Sequence, residues 1–305
     1  MTPLPPTLRF IERDWLSSNQ MLFVEPDGAT LIDTGYGTRA DFTVALVERV
    51  LAEVGRAERG LTRLINTHLH SDHCGANAAL QRRYRCPTLV PHAEFDAVRR
   101  WDEDALTYRA TAQVCERFHA DGFLSDGDEI TLGGMVWRVH AAPGHDPHSL
   151  MLHCPEHRLL ISADVLWQNG FGIIFPELSG NSGFAEQKAA LELIASLDVG
   201  TVLPGHGPMF HDVPEALERA FARLAVIADP RRNARNALKA LLKFRLLEQQ
   251  QFDADRLAEE LAGASVMTNA AALIGMSLDA AIAWALTELE RQGQLRREGS
   301  RIFNP

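Results

Sequence analysis

Twelve histidines fall between positions 68 and 211 of this 305-residue chain, and the densest group is His68-Leu69-His70-Ser71-Asp72-His73. Three imidazoles and a carboxylate within six residues are too close to occupy a long regular element, and the apolar run Leu61 to Asn66 before them reads as a strand. The spacing therefore puts four ligand-type side chains on a loop where a strand ends, free to converge. Two further histidines share a frame, Pro143-Gly144-His145 and Pro204-Gly205-His206, in turns that fix the backbone and expose the ring. Asp164 follows the apolar strand Leu159 to Ser162, so it too sits where a sheet ends. Borderline metals such as zinc take imidazole nitrogen and carboxylate oxygen, and a site without thiolate suits a catalytic ion.

The rest of the chain alternates strands and helices. Leu8 to Leu16, Met21 to Glu25 and Ala29 to Asp33 read as strands, the last two joined by the turn signal Pro26-Asp27-Gly28. Helical spacing covers 41–54, 75–84, 92–101 and, more weakly, 106–118. Short strands at 130–132, 135–140, 149–153 and 158–162 make a second β-rich block, followed by a helix at 185–197, a strand at 201–203 and a helix at 213–227. Sheets interleaved with helices twice over predict an α/β (α+β) chain with two packed sheets and helices outside.

At roughly 150 residues per domain the length suggests two domains. Asp229-Pro230-Arg231-Arg232 marks the expected boundary, giving residues 1–229 and 230–305. The first segment carries 19 basic against 31 acidic residues, the second 11 against 9. A phosphate backbone is bound mainly through Lys and Arg, so the acidic segment is a poor nucleic-acid binder. The tail reads as helices at 235–250, 253–262 and 278–292 with a hairpin over 294–303, an order similar to a winged helix. Met1-Thr-Pro-Leu-Pro-Pro lacks the pattern of a signal peptide, and the longest uncharged stretch, 261–278, is too polar to span a membrane. A cytoplasmic protein is expected. Cys74, Cys86, Cys115 and Cys154 form no C-x-x-C pair, and Cys74 reads as a small packed thiol.

Over about residues 20–210 the sequence resembles the metallo-β-lactamase-fold hydrolases. The likeness is carried by Leu31-Ile-Asp33-Thr-Gly35, the 68–73 motif, Pro143-Gly-His145, Ala163-Asp164 and Pro204-Gly-His206. It implies a four-layer αββα sandwich with a binuclear metal site at one edge. It also implies that His68, His70 and His145 hold one ion, that Asp72, His73 and His206 hold the other, and that Asp164 bridges them. Zinc is the expected metal, with iron or manganese as alternatives. Two ions about 3.5–4 Å apart can clamp a bridging hydroxide and stabilise the oxyanion formed on attack, which gives Asp72 and Asp164 their catalytic roles. Asp33 reads as a residue that fixes a ligand loop.

The sequence departs from the family pattern after His145, where Asp146-Pro147-His148 intervenes. His148 is open between a substrate contact or proton donor and an ordinary surface residue. Trp167 to Pro176, with Phe171 and Phe175, reads as a mobile apolar lid suited to an acyl chain, or as a dimer contact. Histidines 92, 119, 140, 153, 157 and 211 read as ordinary.

Within the superfamily the pattern is most similar to the glyoxalase II-like group, although the tail departs from the glutathione-binding helical segment of that enzyme. The expected activity is hydrolysis of a thioester, lactone or related acyl ester by a soluble enzyme acting on small molecules, with a homodimer open. Two alternatives remain. One is a mononuclear iron persulfide dioxygenase-like enzyme. The other is a ligand-responsive protein that binds nucleic acid through the tail, for which the helix over 278–292 is poorly supplied with cations, carrying Asp279, Glu288 and Glu290 against Arg291.

Overall fold

The computed structural model describes residues 3–305. The first six strands, β1 (Leu8–Ile11), β2 (Gln20–Glu25), β3 (Gly28–Ile32), β4 (Leu61–Ile65), β5 (Thr88–Pro91) and β6 (Gly122–Leu124), hydrogen-bond in chain order. β1 to β3 are antiparallel, and pairing is parallel from β3 onward. Parallel neighbours need crossovers longer than a hairpin turn. Here these contain α1 (Ala40–Glu53), then α2 (Ser71–Cys74) with α3 (Asn77–Tyr84), then α4 (His92–Arg100) with the single turn α5 (Tyr108–Thr111).

A second sheet has the order β11-β10-β9-β8-β7. Its strands are β7 (Glu129–Leu132), β8 (Met135–Ala141), β9 (Leu150–Cys154), β10 (Leu159–Ala163) and β11 (Thr201–Pro204). Only β10 and β11 pair in parallel, and α6 (Phe184–Ser196) lies in their crossover. α7 (Val213–Ile227) follows β11.

The alternation of β8 shows how the sheets meet. Met135, Trp137 and Val139 are buried while Val136 and Arg138 face solvent, the two-residue period of a half-buried strand. Trp137 meets Phe23 of the first sheet edge-on, with ring centroids 5.4 Å apart. Ile32 and Ile65 from one sheet and Leu152, Ile161 and Leu203 from the other complete this core. Outside, α1 and α3 cover the first sheet through Val47, Leu51 and Leu80, and α6 and α7 cover the second through Leu191, Ile194 and Ala220. The layers are thus α, β, β, α.

Beyond Ile227 the chain is mainly helical: α8 (Pro230–Gln249), α9 (Leu257–Glu260), α10 (Ser265–Leu273) and α11 (Leu278–Arg291). They enclose their own core of Leu238, Leu242, Met267, Ile282 and Leu289. A small antiparallel sheet, β12-β14-β13, uses β12 (Gln251–Asp253), β13 (Arg296–Glu298) and β14 (Arg301–Phe303). Among the described residues no single helix is long and apolar enough to cross a membrane.

Several local expectations are corrected. The first strand stops at Ile11, because Asp14 accepts the backbone N–H of Leu16 and Ser17 and folds the following residues into a turn. The helix expected over 106–118 is only α5, closed at both ends by Thr107 and Ala112 with φ of 64° and 54°, a conformation that stops propagation. The expected boundary at Asp229-Pro230 coincides with the start of α8: Asp229 caps it by accepting the N–H of Arg231, and Pro230 occupies the first turn, where its missing N–H costs nothing. The helix expected over 253–262 is a 3₁₀ turn followed by α9. The sequence reading does not reach β5, β6 and α10.

Trp137→Ala removes the ring that joins the two sheets, and it should lower unfolding free energy by about 3–5 kcal/mol. Val136→Thr, on the solvent face of the same strand, should stay within about 0.5 kcal/mol. Denaturant melts of both proteins check the contrast.

Candidate metal centre

Five segments reach one place, each just after a strand. Asp33 follows β3, residues 68–73 follow β4, His145 follows β8, Asp164 follows β10 and His206 follows β11. Carboxyl ends of strands are where α/β folds commonly place their sites. The second half of the histidine motif is not loop, as the spacing suggested, but the helical turn α2, with His70 at its N-cap position.

Side chains outside the cluster aim the rings. Asp33 is fully buried and its Oδ2 lies 2.8 Å from His73 Nδ1. The same carboxylate accepts the Thr67 N–H at 2.9 Å and the Thr67 hydroxyl at 2.8 Å. Its backbone φ of 57° is a strained position for a non-glycine residue, held by these contacts. His145 Nδ1 donates to the Ile173 carbonyl at 2.5 Å, His70 Nε2 lies 3.6 Å from Asp146 Oδ2, and His68 Nδ1 lies 3.2 Å from the Thr67 hydroxyl. The turn bearing His206 is clamped by Asn19, whose amide donates to the Pro204 and Gly207 carbonyls at 2.9 and 2.7 Å. Close approach also demands glycine here: a Cβ on Gly205 would collide with Asp164 Oδ1, and one on Gly172 with the His145 ring.

With outward nitrogens facing oxygen acceptors, the inward ones present lone pairs to each other. His70 Nδ1 lies 3.1 Å from His68 Nε2 and 2.8 Å from His145 Nε2. Acceptor facing acceptor is repulsive unless a proton or cation lies between, and His73 Nε2 is buried without a hydrogen-bond partner. Ligand atoms fall into the sets His68–His70–His145, His68–His73–Asp164 and Asp72–His73–His206, within 4.8 Å of one another in each. Asp164 faces both ends, 3.5 Å from His145 Nε2 through Oδ2 and 3.4 Å from His73 Nε2 through Oδ1. At the far end, His206 Nε2 lies 3.1 Å from Asp72 Oδ2.

At His68, His70, His145 and both aspartates, electrostatics favour the protonation states that cation binding needs. Burial holds His68 well below its ordinary pKa and brings His70 and His145 down to about 4, so their lone pairs are free. Burial also pulls His73 down, yet Asp164 and Asp33 outweigh it and hold the ring well above its usual value. Burial alone would raise both aspartates. His206 and His73 instead hold Asp164 well below the carboxylate range, and Asp72 is held below its ordinary value by its hydrogen bond with His206 and by the charge of His73. The residues present fit divalent cations: the buried imidazoles of His68, His70 and His145 kept neutral, two carboxylates kept ionised, and an inward nitrogen of His73 left without a partner, where a cation would take the place of the proton that Asp164 and Asp33 favour.

All seven sequence-predicted ligand residues come together, with Asp33 behind them. Trp167 Nε1 donates to Asp164 Oδ1 at 3.2 Å, and the Phe175 ring lies 5.5 Å from that of His70. Phe171 is fully buried in the wall behind. The segment around it is not a free lid, because Ile174 is buried and its carbonyl accepts the Asn233 amide from α8. His148 is exposed and outside the cleft; Asp146 Oδ1 accepts its backbone N–H, so the buried carboxylate at 146 takes the inward position. Two residues escaped the sequence reading. Asp146 was signalled only by following a ligand-type histidine. Trp15 lies hidden in an apparent strand, yet its ring stacks parallel to His206 at 5.6 Å and meets Trp167 edge-on at 5.5 Å.

The cluster opens into a cleft of about 820 Å³ whose walls come from both parts of the chain. Residues 13–206 match the family model of the metallo-beta-lactamase superfamily. The chain belongs to that superfamily. It is similar to the human (Homo sapiens) acyl-coenzyme A thioesterase MBLAC2, 29% identical over 197 residues that make up 58% of this chain and 68% of that one. It is also similar to a hydroxyacylglutathione hydrolase of Rhodopseudomonas palustris, 28% identical over 148 residues, 48% of this chain and 51% of the relative. The chain thus spans about half the length of that hydrolase. Among solved structures, a metallo-beta-lactamase family protein from Thermus thermophilus aligns with TM-score 0.60 at 20% identity, over 99% of this chain and 100% of that one. The FEZ-1 metallo-beta-lactamase from Legionella gormanii aligns with TM-score 0.59 at 15% identity, over 73% and 93%. Both share the fold. This metallo-β-lactamase-fold protein is a metal-dependent hydrolase, and its histidine–aspartate cluster is where divalent ions fit.

A ligand that binds only the folded state stabilises it, by about 2.7 kcal/mol at a hundredfold excess over Kd. Chelation should therefore lower the melting temperature by several degrees, and added zinc should restore it. In Asp164→Ala the difference between chelated and zinc-loaded protein should largely vanish; a full shift in that variant would show the ions bind elsewhere.

Proposed function

We propose that this enzyme is a binuclear metal-dependent acyl hydrolase acting on thioesters, with lactones and related acyl esters as secondary substrates. The observation that carries the reading is Asp164, whose two carboxylate oxygens face different histidines at opposite ends of one cluster. In this reading His68, His70 and His145 hold one ion, Asp72, His73 and His206 hold the other, and Asp164 serves both. When bound, two divalent ions, here read as zinc, supply Lewis-acid polarisation of the scissile carbonyl and an acidified water.

The chain's own residues do the rest. Asp33 and the Ile173 carbonyl keep His73 and His145 in one tautomer, so neither ring has to reorient during turnover. Trp167 orients Asp164 through its indole N–H. Trp15, Trp167 and Phe175 wall the approach with apolar surface, which suits an acyl group and limits water beside the reacting carbonyl. The relatives named as thioesterase and hydroxyacylglutathione hydrolase both cleave a sulfur ester, which favours thioesters within the acyl class. We further propose that residues 230–305 form a separate winged-helix-like domain that closes one side of the cleft.

Metal quantitation of the purified protein should return two equivalents. A panel of thioester, lactone, phosphodiester and β-lactam should show the thioester cleaved fastest, with Asp72→Ala down about 100-fold or more. Full activity in that variant would remove the assigned centre. One equivalent of iron with oxygen uptake on a persulfide would instead support a dioxygenase.

A further inference from the structure

The cleft is much larger than the metal edge alone. Its volume of about 820 Å³ lies toward the upper end of the roughly 300–1,000 Å³ typical of small-molecule sites. One wall is a single stripe of α8: Asn236, Lys239, Ala240, Lys243, Phe244 and Leu247, at the three- and four-residue steps of one helix face. The neighbouring face, with Ala234, Ala237, Leu238, Leu241 and Leu242, is buried in the tail's core. From Asn236 to Leu247 the stripe runs about 16 Å. It is polar and basic toward its beginning and apolar toward its end.

α7 brings Arg223 to the same cleft, and its environment is unusual. One turn earlier, Arg219 is fully used, 2.7 Å from Asp212 and 2.9 Å from the Gln168 carbonyl. Arg223 instead lies over the Phe171 ring, 5.2 Å from its centroid, with a buried Nε that has no hydrogen-bond partner. Lys243 is committed to the Gln294 carbonyl and Asn304 Oδ1, both at 2.7 Å. Lys239 is not so tied. The carboxylate that feels its charge, Glu288, is held by Arg291 at 2.9 Å. Among the described residues no acidic side chain lines the cleft except Asp72 and Asp164 of the metal cluster. In a chain of net charge −10, this concentrates uncommitted cations where a substrate must enter.

We propose that Arg223, Asn236 and Lys239 form an anion subsite for the thiol half of the substrate, so that this enzyme takes thioesters whose leaving group carries a phosphate or a carboxylate. The inference rests on the acyl-thioester reading above. A guanidinium fork, an ammonium and an amide are donors matched to such oxyanions. The acyl half then falls toward Trp15, Trp167 and Phe175, and the sulfur leaves toward α8.

The test compares thioesters of one acyl group on three thiols: coenzyme A, bearing phosphates; glutathione, bearing carboxylates; and N-acetylcysteamine, uncharged. The wild type should favour at least one anionic thioester over the neutral one in kcat/KM, and Arg223→Gln and Lys239→Gln should each reduce that ratio about tenfold or more. The thioester whose advantage collapses identifies the anion. Lys239 is half-exposed, so its variant keeps the test alive if Arg223→Gln fails to fold. Equal rates on charged and neutral thioesters, or variants that retain the full ratio, would overturn the subsite. If no thioester is cleaved, the acyl-hydrolase reading fails by itself, and calorimetric titration with the S-alkyl thioethers of the same three thiols decides the subsite. Binding of a charged thioether that is lost in both variants sustains it; no binding, or binding the variants retain, overturns it.

Discussion

The Asp33 carboxylate is the contact on which the site depends. It is fully buried, and a buried charge persists only where hydrogen bonds replace its water. Asp33 obtains them from the Thr67 N–H, the Thr67 hydroxyl and the His73 ring, all from the segment that follows β4. The carboxyl ends of the parallel pair β3 and β4 are thereby fixed to each other. The arrangement costs backbone strain at Asp33 itself, in the left-handed region, of order 1–3 kcal/mol. Neighbouring bonds help to hold it, with the Thr34 N–H on the His73 carbonyl and the Asp33 N–H on that of Ile65.

The cluster also exists only when both sheets are assembled. Residues 68–73 come from the first, while His145, Asp164 and His206 come from the second, and the intersheet core around Trp137 brings them together. Links cross at the site as well. The Leu150 N–H donates to the Thr67 carbonyl, and Asn19 clamps the turn bearing His206 through its side-chain amide and through its backbone N–H on the Gly205 carbonyl. Fold stability and ligand geometry are therefore set by the same contacts.

What could be read from the sequence follows from this division. The clustered residues were legible because imidazoles and carboxylates at strand ends have few structural reasons to be there, and all seven meet in space. α7 was legible to its end residues because its apolar positions repeat at helical spacing over four turns. Trp15 was not, because a local Asp14 turn decides that the strand ends at Ile11 and the ring doubles back onto His206. His148 was open between a substrate contact and a surface residue, and the chain direction after His145 decides it by burying Asp146 and leaving His148 outside. The cleft face of α8 was equally hidden. Its stripe differs from an ordinary solvent face only in what stands opposite, which is tertiary information.

Charge makes the same point about averages. Residues 1–229 are strongly acidic, which reads as repulsion toward any anion. At physiological ionic strength, however, exposed charges are screened beyond about 8 Å. An anion entering the cleft therefore responds mainly to the groups that line it. Those are Arg223, Lys239 and Lys243, with Asp72 and Asp164 offset by the ions proposed to bind there. Low-dielectric walls from Phe171, Phe175 and Phe244 weaken the screening further and strengthen the pull of each cation. Discrimination among anions is therefore left to the cleft, where, among the described residues, Arg223 and Lys239 face no acidic partner across the cavity other than Asp72 and Asp164.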